Sequence, residues 1–403
     1  MTDPQQQPEI PPASLRPGTL AAKLADSNNR PAGFDYMRLA LAIGVVAMHT
    51  VNTSYGQNAA EEFWDSPARI VVGPILPMFF ALSGFLVAGS LIRCASLISF
   101  LGLRGLRIVP ALAVEVLLSA LLLGPFLTTI PLWEYVSSPM FHAYFLNIIG
   151  EIHYRLPGVF PTNPVPLTVN GQLWTVPYEL KCYLALAILA SLGIVWHRRA
   201  LLIAMILAQA FFIYHGWFGT PRDWTTVPGE IMVFSFLCGL LIFVYRDRIP
   251  WSAMLCFVSA IVSALLLLTP GGDWIVALPM SYVTVFLGLM NPVKNRMALS
   301  GDYSYGIFLY GYPIQQMIAS VPELRHWYLN LLIALPLSIV IAVASWWLVE
   351  KPALRLKTPL GRFETTVLRR GPRWVQAFIL RDPTRIERFF SWIRIFLRPK
   401  TLR

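Results

Sequence analysis

The amino-acid sequence predicts an all-α, polytopic transmembrane bundle of about ten spans with both termini in the cytoplasm. Three observations lead there. Hydrophobic residues make up 56% of the chain and charged ones only 13%, a balance outside the range of soluble globular domains. Apolar runs of about 18 to 23 residues recur between short charged or Pro/Gly-rich connectors, matching the length a helix needs to cross hydrocarbon. Strand-period alternation is missing, which argues against a barrel.

The elements follow in order. Residues 1–33 are polar and Pro-rich, with no basic segment running into an apolar core, so they read as a cytoplasmic N-terminal segment rather than a cleaved signal. Spans are expected at 34–51, 71–92, 108–128, 173–196, 200–214, 229–245, 252–268, 274–290, 303–320 and 330–349. The fifth is short enough to be re-entrant. A long loop, 131–172, is dense in Pro and aromatics and offers room for a half-helix at 140–150. Alternate connectors sort by charge: those at 93–107, 198–199, 246–248 and 294–296 hold three, two, two and two Lys/Arg, and the opposite set, with Arg222 and Arg325, holds at most one each. The positive-inside rule then sets the orientation.

The net charge of +11 has one source. Residues 351–403 carry 14 Lys/Arg and three acids, or +11, leaving 18 basic and 18 acidic residues before them. The tail beyond 352 is therefore a separate cationic segment. Within it, Ile386, Phe389, Phe390, Ile393, Phe396 and Leu397 form one apolar stripe at helical spacing. Such a helix lies in the headgroup plane and favours an anionic leaflet; packing on the protein's own cytoplasmic face is the plainer alternative. With its aromatics inside the stripe it makes a poor nucleic-acid binder. The four cysteines (Cys94, Cys182, Cys238, Cys256) sit in or beside apolar runs without metal spacing, so neither zinc nor a disulfide framework is implied.

Ionisable residues inside the apolar runs carry the functional argument, because such groups are costly in lipid. Arg38 and His49 are eleven residues apart, nearly in phase on a helix and separated by roughly 16 Å of rise. A guanidinium at the water boundary can hold a phosphorylated carrier, and a buried neutral imidazole can act as a base. Snorkelling and helix packing would explain the same two residues without function. Arg104 and Arg107, three apart in the loop before the third span, can fork onto phosphate or merely set topology. Glu179 places a carboxylate at the start of the fourth span beside Trp174, with Lys181 on another face. Ser83, in a Ser-Gly pair in mid-span, and Tyr305, at the start of the ninth, fit close helix packing and an interfacial belt as well as a site.

Taken together, Asp35-x-x-Arg38-x10-His49, Phe-Phe-x-Leu-Ser83-Gly-Phe-Leu, Arg104-x-x-Arg107-Ile-x-Pro, Leu-Trp174-Thr-x-x-x-Glu179, Ser-Tyr305-Gly-Ile-Phe-Leu and Glu350-Lys351-Pro352 resemble, in order, the motifs of the membrane acyltransferase-3 family. The resemblance spans residues 34–352. It implies a ten-helix protein of the bacterial inner membrane that moves an acyl group, commonly acetyl from acetyl-CoA, onto hydroxyls of surface glycans and related acceptors. It further implies a catalytic His49, Arg38, Arg104 and Arg107 toward the phosphates of CoA, Glu179 as a further essential group, and Asp35, Ser83, Trp174, Tyr305 and Glu350 in support. One departure stands out: Gly311 occupies the place of a second histidine in many members.

The mechanism expected is direct transfer, with neutral His49 as general base on an acceptor hydroxyl; an acyl-histidine intermediate has no sequence support. Glu179 would orient His49 or bind the acceptor. Trp133, His142, Tyr144, His153 and Tyr154 in the long loop suit sugar stacking. The competing class is a proton-coupled transporter or flippase, which also uses intramembrane His, Glu and Arg; missing internal repeats and the motif order weigh against it.

Overall fold

The computed structural model describes residues 16–94, 96–218, 227–295 and 300–361. Residues 362–403, which hold most of the cationic tail and its amphipathic stripe, and Arg222 lie outside the described residues. Among those described there is no β-strand beyond isolated bridges such as Arg155 with Thr168.

Seventeen α-helices are described. After the short α1 (Leu20–Asp26) come α2 (Gly33–Tyr55), α3 (Gln57–Asp65), α4 (Arg69–Val72), α5 (Ile75–Arg93) and α6 (Leu97–Leu118). A π-turn continues α6 into α7 (Gly124–Leu127), and the long loop folds two short helices, α8 (Leu132–Ser137) and α9 (Pro139–Tyr144). Then follow α10 (Val176–Ser191), α11 (Arg198–Phe218), α12 (Gly229–Val244), α13 (Ala253–Leu267), α14 (Ala277–Gly288), α15 (Ser304–Ala319), α16 (Trp327–Ser345) and the one-turn α17 (Lys351–Ala353).

Helices thus occupy all ten stretches read as spans. Six, counted with their flanking turns, are long and apolar enough to cross a membrane: Ala32–Tyr55, Arg69–Arg93, Leu97–Leu127, Gly171–Ser191, Arg198–His215 and Trp327–Gly361. The helices of 229–244, 253–267 and 277–288 are apolar but shorter. The fifth span is a full 21-residue helix rather than a short one, and the half-helix expected at 140–150 is α9 followed by a 3-10 turn, Phe145–Ile149.

One boundary needs correction. Arg104 and Arg107 are not in a loop: Ser96 caps α6, its hydroxyl accepting from Ser99 N at 3.1 Å, and both arginines lie two to three turns inside the helix. The basic residues of 93–107 suggested a connector, and Pro110 also sits inside this helix, where proline usually starts or breaks one. Here it is tolerated within α6.

Close packing builds the centre. A Cβ on Gly84 would overlap the Phe236 carbonyl, and one on Gly239 would overlap that of Ala81, so α5 and α12 touch backbone to backbone. The Ser-Gly pair of α5 therefore divides its work, with Gly84 sealing this contact and Ser83 turned elsewhere. At the periphery, α11, α13, α16 and the turn after α16 expose Leu207, Phe211, Phe257, Leu265, Leu332 and Leu348. A lipid-facing belt accounts for that much uncovered apolar surface.

Candidate active site

Two cavities lie along α2, and both are lined by Leu76 of α5. The larger measures about 880 Å³ and is lined by Asp35, Arg38, Ser83, Arg104, Arg107, Glu179 and Tyr305, all singled out from the sequence. The smaller, about 260 Å³, is lined by His49 and Trp174 together with Asn52, Gln57, Glu61, Trp64, Tyr154 and Tyr312. Val45 faces the larger and His49, one turn on, the smaller. The in-phase spacing read from the sequence is realised because α2 runs unbroken from Gly33 to Tyr55.

The large cavity is strongly cationic. Besides the three predicted arginines its walls hold Arg30, Arg93, Arg246 and Lys294, against the carboxylates of Asp35 and Glu179. Arg38 pairs with Asp35 at 3.2 Å and with Asp302, which Arg107 also grips. Asp302 thus clamps α2 to α6 from the foot of α15, where Ser304 Oγ donates to it at 2.8 Å. Burial alone would raise the Asp302 carboxyl, but the Arg107 and Arg38 guanidiniums hold it well below the usual carboxylate range. Arg104 instead donates to Ser90 Oγ at 3.2 Å. Arg30, Arg93, Arg104, Arg246 and Lys294 have no carboxylate partner among the described residues. Of these only Arg104 and Arg246 are half-buried, and a half-buried guanidinium without a protein anion is what a phosphorylated ligand needs.

Glu179, in the first turn of α10, accepts from Tyr183 Oη at 2.5 Å and lies in the field of Arg107 and Arg104. It lines the large cavity and not the small one. The expectation that it orients His49 is therefore not met by the geometry. Lys181 turns away, its ammonium 4.5 Å over the Tyr178 ring. Tyr305 donates to the Ile108 carbonyl at 3.3 Å. Glu350 is buried on neither wall; Ser345 Oγ donates to it at 3.2 Å and Tyr310 donates to Ser345, tying α15 to α16.

The small chamber is built around His49. Its ring meets Tyr312 edge-on at 5.3 Å between centroids, and no hydrogen bond holds its nitrogens among the described residues. Gly171 lies against the Tyr312 ring so closely that a Cβ would overlap it. The wall of the long loop is pinned by Gln316, whose Nε2 donates to the carbonyls of Val165 and Thr168 at 3.1 and 2.8 Å. Gln315 donates to the Val46 carbonyl at 2.7 Å, fixing α15 to α2 below the histidine. Gly311 explains the missing second histidine in packing terms. A Cβ there would stand 2.7 Å from Val46 Cγ2, so a side chain would force α2 and α15 apart.

Sequence reasoning missed Glu115. Buried in α6, it accepts from Ser119 Oγ at 2.7 Å and from Asn170 Nδ2 at 2.8 and 3.0 Å, with Tyr144 Oη bonded to the same Asn170 amide. An acid inside Leu-Ala-Val-Glu-Val-Leu-Leu carries the same signal that singled out Glu179. Of the loop aromatics expected at the acceptor, Tyr154 lines the chamber, whereas Tyr144 is buried in the Glu115 cluster and Trp133 is exposed.

An imidazole in a small aromatic chamber, beside a cation-lined cavity in a helical membrane bundle, defines a membrane-embedded group-transfer enzyme. The chain belongs to the acyltransferase-3 family, whose model, described as an acyltransferase domain, matches residues 32–350. It is 27% identical over 354 residues to an O-acetyl transferase of Shigella phage Sf6, covering 81% of this chain and 97% of that protein. It is 25% identical over 371 residues to nodulation protein 10 of Rhizobium leguminosarum bv. viciae, covering 84% and 98%. No solved structure matches the chain. Family and relative together make it an O-acetyltransferase and an integral membrane protein.

Proposed function

We propose that the chain moves an acetyl group from acetyl-CoA, reached from the cytoplasm, to a hydroxyl of a cell-surface or exported glycan in the bacterial inner membrane. The carrying observation is that His49 stands in a chamber apart from the arginines, with Leu76 common to both walls. The larger cavity suits the phosphate-bearing donor in size, since cofactor sites run to roughly 1,000 Å³, and in its unpaired cations. Arg104, Arg107 and Arg38 would grip phosphates, with Glu179 and Tyr183 lining the same cavity. Bound there, acetyl-CoA supplies the acyl group as an activated thioester.

His49 then takes the proton of the acceptor hydroxyl as its oxygen attacks the thioester carbonyl, and returns that proton to the departing thiolate. Its orientation is set by ring packing on Tyr312 rather than by a carboxylate. Lipid attachment through the basic tail, favouring an anionic leaflet, belongs to the same reading. Radiolabelled acetyl-CoA given to purified protein should lose label to the acceptor, and His49→Ala should abolish the transfer while leaving insertion intact. Translocation of acceptor without label transfer would overturn the reading in favour of transport.

A further inference from the structure

The small chamber is bounded on one side by α3, which no motif of the sequence singled out. Gly56, with φ +90°, turns the chain sharply between α2 and α3, a conformation open in practice to glycine. The turn folds α3 back over the end of α2, so that Gln57, Glu61 and Trp64 face the space in front of His49. Three polar side chains form a chain along this wall. Asn52 Nδ2 donates to Gln57 Oε1 at 3.1 Å, and Gln57 Nε2 donates to Glu61 Oε1 at 3.1 Å. Asn52 Oδ1 is buried with no hydrogen-bond partner among the described residues, and only one oxygen of Glu61 is engaged there. Facing them are the rings of Trp64, Trp174, Tyr154 and Tyr312.

We infer that Asn52, Gln57 and Glu61, with Trp64, form a specificity subsite that reads the hydroxyls of a single neutral sugar ring and presents one of them to His49. The inference rests on the acyltransferase reading and deepens it. Size limits the guest to one ring, because about 260 Å³ falls below the roughly 300 Å³ at which pockets for drug-sized ligands begin. Aromatic faces supply contact area to the C–H faces of such a ring. A carboxylate and two amides offer acceptors and donors together, which suits hydroxyls because each of these both donates and accepts. The Glu61 charge disfavours a carboxylated or phosphorylated ring, since like charges in a partly desolvated site repel strongly.

Saturation-transfer NMR on the full-length protein in nanodiscs tests this directly, with methyl glucoside, methyl rhamnoside and methyl glucuronide as probes and no donor present. The neutral glycosides should give signal and the glucuronide at least fivefold less. Trp64→Ala and Gln57→Ala should each cut the neutral signal at least threefold, and Glu61→Gln should narrow the gap between glucoside and glucuronide. Coenzyme A binding, measured on the same samples, should be unchanged; if an alanine variant loses it, Trp64→Phe and Glu61→Gln decide. No neutral signal in the wild type, or neutral and acidic probes bound alike with every variant indifferent, would overturn the subsite. Acyl transfer that persists in that case would leave the enzyme reading intact, whereas sugar binding without transfer from acetyl-CoA would contradict the enzyme reading alone.

Discussion

The two cavities differ in kind. The larger collects seven basic side chains, two of which, Arg38 and Arg107, share the carboxylate of Asp302. The smaller contains a single carboxylate, no basic residue other than His49 among its described walls, and four aromatic side chains of Trp and Tyr. Charge is long-ranged and tolerant of pose, so a cationic cavity captures a phosphorylated donor without shaping it. Ring faces and amides act only in contact, so the aromatic chamber discriminates by shape. On the function proposed above, separating the two would let one protein hold a common donor tightly and still choose among acceptors.

The largest effect that would break this division is at His49. His49→Ala should lower transfer by roughly 10²- to 10⁴-fold, the usual contribution of a positioned base, with both substrates still bound. Retained activity would mean that the chamber binds but does no chemistry. Next comes the donor side: Arg104→Gln and Arg107→Gln should each raise KM for acetyl-CoA by about tenfold or more, as expected for a lost charge-assisted hydrogen bond of about 1.5–3 kcal/mol. Arg325→Gln is the control, since Arg325 donates to the Ala319 and Thr162 carbonyls and lines neither cavity. Equal effects at all three positions would reduce the arginines to topology markers.

Two smaller effects sharpen the comparison. Glu115→Ala leaves Asn170 and Ser119 without their buried acceptor, at a cost of about 1–3 kcal/mol. Because Asn170 precedes Gly171 on the chamber wall, the acceptor KM should rise along with a lowered unfolding midpoint, while the donor KM holds. A fall in donor affinity instead would place the Glu115 cluster in the wrong half of the molecule. Gly311→Ala should weaken the α2–α15 contact at Val46 by about 1–3 kcal/mol, the usual cost of overpacking, seen as a lower midpoint in thermal melts.

The sequence made one half of this legible. Arg38 and Glu179 stand out because charge in an apolar run is costly wherever it occurs, Arg104 and Arg107 because they lie three apart beside a span, and the structure brings all four to one cavity. The half proposed for the acceptor was harder to read. Gln57, Glu61 and Trp64 sit on a short helix outside the bilayer pattern, where polar residues are ordinary and carry no signal. Asp302 was missed for a related reason: an acid in a connector is unremarkable until two arginines, 264 and 195 residues away in sequence, converge on it. Arg104 and Arg107 were assigned to a loop because the stretch 93–107 is basic, whereas the Ser96 cap shows that the helix begins at Leu97.

The separation itself is tested most directly by protection of engineered cysteines. The native Cys94, Cys182 and Cys238 are buried, so a Cys256→Ser background leaves little competing reactivity. Ser90→Cys reports on the large cavity, at the partner of Arg104, and Thr168→Cys on the small chamber. Coenzyme A should slow maleimide labelling of Ser90→Cys at least fivefold and leave Thr168→Cys unchanged. Protection of Thr168→Cys with Ser90→Cys still reactive would put the donor in the aromatic chamber and contradict the account.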